Sequence, residues 1–210
     1  MSKKTRRKPK RAPRRSSRGS TTDALGRAIL TALGENPDRA ELRRTPARFM
    51  QSLKHLTSGA RQDVHAIVRS GIVADRRGKM VVVLNIPIMS LCEHHVLPFF
   101  GRCHVAYMPD QQVLRPGHLS KLIDSFCRRL QVQERLTTQI ATTLWETVQP
   151  RGVAVIIEAA HLCMIMRGVE KTNTQAVTST MLGLFRTSTK ARGELMQLIA
   201  RQRKLPLLQH

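Results

Sequence analysis

Apolar residues recur at helical intervals over the first third of the chain and lose that period after it. Leu25, Ile29, Leu30 and Leu33 form one stripe behind Thr22 and Asp23, which are cap candidates, and Gly34 stops the run. "RTPARFMQSLKHLTSG" predicts a second helix with Pro46 in its first turn and Gly59 at its end, and "DVHAIVRSG" a shorter third. From Lys79 the character changes. "KMVVVLNIPIMSL" (79–91) is β-branched and apolar without a helical period, which predicts a buried strand. "RCHVAYMPD" (102–110) alternates and ends at Pro109, a second strand. Leu119, Leu122, Ile123, Phe126 and Leu130 mark one helix, and Leu136, Ile140, Leu144 and Val148 another that runs up to Pro150. "GVAVIIEAAHLCMIM" and "AVTSTMLGLFR" predict the last two strands, and "KARGELMQLIARQRK" a closing basic helix.

The order strand-strand-helix-helix-strand-strand, behind a helical region, implies an α+β fold with helices on one face of a sheet. The expected divisions are a tail over 1–20, a helical region over 21–78 and the sheet domain over 79–210. At 210 residues the chain is long enough to bury a sizeable core.

Charge changes the picture at the N-terminus. The formal net charge is +22, and residues 1–20 hold 10 of the 36 Lys and Arg with no acidic residue. A stretch so poor in apolar residues cannot fold alone and is expected to be disordered. It reads first as a solvated tail. A second reading is weak electrostatic attachment to nucleic acid or another polyanion, although no aromatics are interleaved for base stacking. A mitochondrial transit peptide fits less well, because no amphipathic apolar face is present. There is no signal-peptide core and no run long enough to span a membrane. Four cysteines in 210 residues are too sparse for a disulfide scaffold. A reduced, cytoplasmic setting is the expectation.

The chemistry concentrates in "SLCEHHVLPFF" (90–100), where an apolar run is interrupted by Cys92, Glu93, His94 and His95. Cys92 and His95 are spaced to reach one metal from a single turn. Two ligands do not make a zinc site, which takes three protein ligands when catalytic. A lone pair of this kind is as well explained by coincidence and a buried thiol. "EAAHLCM" (158–164) supplies a third candidate in Cys163, and strand alternation would turn His161 to the same side. Such a site would leave His94 and His161 beside the metal as proton carriers.

"SLCEHHVLPFFGRCHVAYMPD", "RRLQVQERLT", "HLCMIMRGVEKTN" and "VTSTMLGLF" together resemble the motif set of the GTP cyclohydrolase I family, in the same order and spacing. "LGENPDRAELRRTPARF" resembles that family's N-terminal helical segment, so the resemblance covers residues 22–203. It implies a T-fold with a four-stranded antiparallel sheet. It implies a homodecamer of two stacked rings, with active sites between subunits. The implied enzyme is a zinc-dependent hydrolase that opens the guanine imidazole ring of GTP, giving formate and 7,8-dihydroneopterin triphosphate.

The same resemblance places the zinc ligands at Cys92, His95 and Cys163 and the proton-transfer roles at His94 and His161, with Glu93 structural. It puts the guanine anchor at Glu134 with Gln133 beside it, and a phosphate contact at Arg167. One segment departs from the family. "RPGH" (115–118) stands where the family reads Gly-Leu-Ser-Lys, so Gly117 replaces a phosphate-binding serine and His118 a lysine, and Lys121 replaces an arginine. A histidine at its ordinary pKa of about 6.5 is mostly neutral at pH 7, and lysine lacks the guanidinium fork. Weaker triphosphate binding is therefore expected. Two alternatives follow from the departures and the tail: a member that binds a purine or pterin without turning GTP over, and a polyanion-binding protein.

Overall fold

The period-two pattern between Pro98 and Met108 fixes the layering. Phe99, Cys103, Val105 and Tyr107 are buried on one side, and His104 and Ala106 on the other. Both faces of this strand are therefore covered, and it sits inside the sheet.

The computed structural model describes residues 21–166 and 175–204; the basic N-terminal segment, Arg167 and the end of the chain lie outside them. The chain divides into two compact units between Lys54 and His55. The first contains α1 (Thr21–Ala32) and nearly all of α2 (Thr45–Leu56). Gly26 is buried where these helices meet, and a Cβ there would lie 2.7 Å from the Pro46 carbonyl oxygen.

The second unit opens with a 3-10 turn at Ser58–Arg61, then α3 (Val64–Arg69), β1 (Ile72–Ala74), β2 (Val81–Cys92) and β3 (Pro98–Met108). Next come β4 (Gln112–Leu114), α4 (Pro116–Cys127), β5 (Leu130–Gln131) and α5 (Gln133–Val148). It closes with β6 (Gly152–His161), α6 (Leu162–Ile165), β7 (Ala176–Gly183), α7 (Leu184–Thr187) and α8 (Thr189–Lys204). Asp63 caps α3 by accepting from the Ala66 amide at 3.0 Å. Residues 55–78, grouped by their sequence with the N-terminal helices, thus belong to the same unit as the sheet.

The main sheet has the order β5-β2-β3-β6-β7. Its four long strands are antiparallel, as expected. The two-residue β5 adds a short parallel edge through Leu91 and Cys92, and β1 pairs with β4 in a separate ribbon. Neither was legible in the apolar pattern, because both are too short to show a period.

The larger core lies between one sheet face and α4 and α5, with Leu122, Ile123, Leu136 and Ile140 facing Val105, Val155 and Ile157. The other face carries a smaller cluster in which Leu195 and Ile199 of α8 meet Ala106, Ala154 and Ile156. A bulge between Val83 and Ile86 explains why "VVVLNIPI" fails to alternate. Val81 and Val83 before it, and Ile86 and Ile88 after it, all reach the larger core. Asn85 adopts a positive φ of 56° in the bulge and donates its amide to His104 Nδ1 at 3.2 Å.

Two predicted strands end early. The run expected from Gly152 to Met166 is extended only to His161, where the chain turns into α6. The run from Ala176 to Arg186 stops at Gly183, whose φ is 55° and whose Cβ would lie 2.3 Å from the Arg151 carbonyl oxygen.

Gly101 has a similar constraint inside the sheet, since a Cβ would meet the Glu158 carbonyl oxygen at 1.9 Å. That atom belongs to the neighbouring strand and cannot move aside alone. Gly101→Ala should therefore destabilise the protein by about 2–3 kcal/mol. Chemical denaturation should show a lower midpoint, and an unchanged midpoint would mean the strands separate without cost.

Candidate metal centre and active site

The turn between β2 and β3 folds back on itself. The Cys92 carbonyl accepts from the Val96 amide at 2.8 Å, and the Cys92 amide donates to the Leu97 carbonyl at 2.8 Å. This single helical turn puts Cys92 and His95 on the same side, as their spacing predicts. Val96 closes it at a φ of 55°, in the left-handed region that a β-branched residue rarely enters. The local strain costs on the order of 1–3 kcal/mol.

Cys163 reaches the same place by a different route from the one its sequence suggests. It lies in α6 rather than on the strand, so strand alternation does not account for its position beside His161. The ligand atoms of Cys92, His95 and Cys163 nevertheless all lie within 4.8 Å of one another. Donors about 2.0–2.3 Å from one ion are separated by at most about 4.6 Å, so small side-chain rotations suffice to close the set on zinc. Two sulfurs and one imidazole also suit that metal.

The other two cysteines are plain core. Burial pushes the Cys127 thiol up to about 12 and raises the Cys103 thiol as well, so both stay protonated and apolar.

His94 lies against the cluster, with its Nδ1 at 3.7 Å from Cys92 Sγ. Both His94 and His95 are exposed, whereas Cys92 and Cys163 are buried. His161 ends β6 opposite Phe99, and the two rings stack with centroids 4.8 Å apart at 8°. Its Nε2 lies 2.8 Å from Gln133 Oε1.

Gln133, expected beside the substrate, is held inside the sheet domain. It is 1% exposed. Its amide nitrogen donates to the carbonyls of Ile157 and Ala176, both at 3.0 Å, and to Thr178 Oγ1 at 3.1 Å. The sequence held a signal for this: Gln133 and Thr137 fall on the buried stripe of α5 that continues through Ile140 and Leu144. Polar residues on such a stripe mark a buried network.

Glu134, the next residue, is exposed and borders a cavity of about 570 Å³ with Val64, His65, Phe126 and Thr138. None of the metal-cluster residues lines that cavity. Glu93 pairs with Arg135, which also donates to Gln131 Oε1 and the Leu130 carbonyl, both at 3.1 Å. The carboxylate of Glu93 is thereby occupied with holding the turn to α5.

The structure does not bring His118 and Lys121 to the cluster. The far end of α4 is tied to the site end of the sheet, where Ser90 Oγ donates to the Cys127 carbonyl at 2.6 Å. His118 lies nine residues earlier, about 13 Å along the helix axis, and Lys121 six residues earlier, about 9 Å. His118 is half-buried over Gly71, where a Cβ would lie 2.3 Å from its Cγ. Lys121 is exposed beside Gln62, Asp124 and Arg128.

The sequence profile of GTP cyclohydrolase I matches residues 23–200. The chain is 48% identical over 173 residues to GTP cyclohydrolase 1 of Coxiella burnetii, covering 82% of this chain and 94% of that one. It is 49% identical over 173 residues to GTP cyclohydrolase 1 of Gloeobacter violaceus, covering 82% and 81%. A relative from Pseudomonas syringae pv. tomato, GTP cyclohydrolase 1 1, is 49% identical over 177 residues, covering 84% and 95%.

The Glu93–Arg135 pair sets a pH dependence. Hydrogen bonding to Arg135 holds the Glu93 carboxyl below the usual carboxylate range. A depressed carboxyl stabilises the fold above its unfolded pKa and loses that contribution as pH falls through the folded value. The midpoint difference between wild type and Glu93→Gln should be present at pH 7 and vanish between about pH 5 and 3. Thermal unfolding of both proteins checks this, since protonation of the other groups is common to both.

Proposed function

The chain belongs to the GTP cyclohydrolase I family, and from that premise we propose that Cys92, His95 and Cys163 hold a zinc ion beside which His94 and His161 move protons. The enzyme is a hydrolase that opens the guanine imidazole ring of GTP, releases C8 as formate and yields 7,8-dihydroneopterin triphosphate. The convergence of the two cysteines and His95, with His94 against them, carries the residue assignments.

When bound, zinc supplies the Lewis acidity that makes water nucleophilic at neutral pH. His94, open to solvent beside Cys92, delivers a proton to N7 so that C8 accepts the nucleophile. His161 is the second proton carrier, stacked on Phe99 at the end of β6. The exposed Glu134 carboxylate accepts the guanine N1–H and 2-amino donors together, which adenine cannot offer. Arg167, Lys121 and His118 contact the triphosphate.

The positions of His118 and Lys121 support a site completed by a neighbouring subunit, because α4 carries them away from their own cluster. We read the assembly as a homodecamer of stacked rings in the cytoplasm, with the basic tail adding only weak polyanion attachment. No helix among the described residues is long and apolar enough to cross a membrane.

Incubation with GTP and zinc, followed by detection of formate and of the oxidised fluorescent pterin, tests the reaction. Cys163→Ser should lose both metal and turnover, since two protein ligands hold zinc poorly. His94→Ala should keep its metal and lose ring opening. Metal analysis of both purified variants is the check, and a zinc-replete, active Cys163→Ser protein would remove the ligand assignment.

The phosphate contacts yield a prediction of their own. His118→Lys should lower the KM for GTP at about pH 7.5, because a lysine brings a full positive charge to the phosphates there. A KM equal to that of wild type would exclude His118 from the phosphate site.

A further inference from the structure

Gln133 has its whole side-chain amide engaged. Carbonyls only accept, so the side facing Ile157 and Ala176 is the nitrogen, and the side facing His161 is the oxygen. An amide oxygen cannot donate. The hydrogen between Gln133 Oε1 and His161 Nε2 therefore sits on the imidazole. In the neutral ring, Nδ1 is then the nitrogen that carries the lone pair.

The orientation of the amide is itself fixed by a closed chain of donors. Gln133 Nε2 donates to Thr178 Oγ1, which lies 2.7 Å from Thr137 Oγ1, and Thr137 Oγ1 donates to the Gln133 backbone carbonyl at 2.7 Å. With Thr137 committed to that carbonyl, Thr178 donates to Thr137 and accepts from Gln133. A flipped amide would set its oxygen against two carbonyl oxygens, which repel it. The stack on Phe99, which is fully buried, fixes the ring plane while Gln133 fixes the ring's rotation within it.

We propose that Gln133 is a positioning residue that holds His161 in one tautomer and one orientation for proton transfer, and that it does not bind the guanine. This rests on the reading of His161 as a proton carrier. The exposed Glu134 is left as the base contact on this turn of α5, so the two neighbours divide the work between catalyst and substrate.

Gln133→Met keeps the length and removes both the donors and the acceptor. In the zinc-loaded enzyme it should lower kcat about 100-fold or more, with the KM for GTP within about twofold of wild type and zinc content unchanged. Thr178→Val removes one partner of the amide nitrogen but leaves the contact to His161, and should keep kcat within about threefold. The double variant His161→Ala/Gln133→Met should be no slower than His161→Ala alone. A raised KM with kcat near wild type would place Gln133 at the base and overturn the proposal. Equal losses of kcat in Gln133→Met and Thr178→Val would reduce it to packing, which also overturns it.

A measurement on the wild-type enzyme stands even if Gln133→Met fails to fold. Solid-state NMR of 15N-histidine-labelled protein, with His161 assigned by its loss in His161→Ala, should show the hydrogen on Nε2. The Nδ1–H tautomer would overturn the proposal. Full activity of His161→Ala, with wild type turning over GTP, would instead overturn the role of His161 on which the proposal rests.

Discussion

The register of β3 against both its neighbours is the constraint on which the site depends. Leu91 pairs with Pro98 across the hairpin, and Phe99 pairs with His161 across the next strand boundary. That alignment brings the Cys92–Leu97 turn and the end of β6 to one end of the sheet. Cys163 then needs only the first residues of α6 to reach Cys92 and His95. A slip of one residue would exchange the two faces of β3, moving Phe99 out of the core and away from His161. Gly101 protects this register, because its missing Cβ lets the Glu158 backbone approach where no other residue fits.

The second organising element is the first turn of α5. Consecutive helical residues point about 100° apart. Gln133 thus turns into the sheet while Glu134 turns outward, and Arg135 reaches back to Glu93 on the Cys92–Leu97 turn. One turn of helix thereby touches both halves of the site. The polar atoms of Gln133 and Thr137 are affordable in the core because each has a partner there, including the Ile157 carbonyl of β6 and the Ala176 carbonyl of the edge strand β7.

The long strands and helices were legible in the sequence because their apolar faces repeat over ten or more residues. Cys92 and His95 were legible as a pair because their contact is local, within one turn. The sheet's short companions were not, since β1, β4 and β5 have two or three residues each. The end of β6 escapes the sequence pattern for a different reason. "HLCMIM" is as apolar as the strand before it, and composition alone does not separate a buried strand from a buried helical turn. The family resemblance sets Gln133 beside the base anchor Glu134. Its contacts to His161, Ile157 and Ala176 are long-range and leave no local trace beyond a polar residue on an apolar stripe.

Three separate features of this chain bear on the assembly proposed for it. Met89, Phe100 and Val177 are 61%, 43% and 63% exposed near the site end of the sheet. Among the described residues, no strand pairs with β2 beyond its short contact with β5 or with the outer edge of β7, and long edges of this kind invite pairing with another chain. The cations of α4 sit about 9–13 Å along the helix from the end that adjoins the chain's own cluster. Among the described residues nothing covers that apolar surface or pairs those strand edges. A neighbour joined along the sheet edges would cover the first and pair the second. It would also present its own α4 cations toward a nucleotide bound at the proposed base anchor Glu134, an arrangement suited to a substrate with a reactive base and a distant triphosphate.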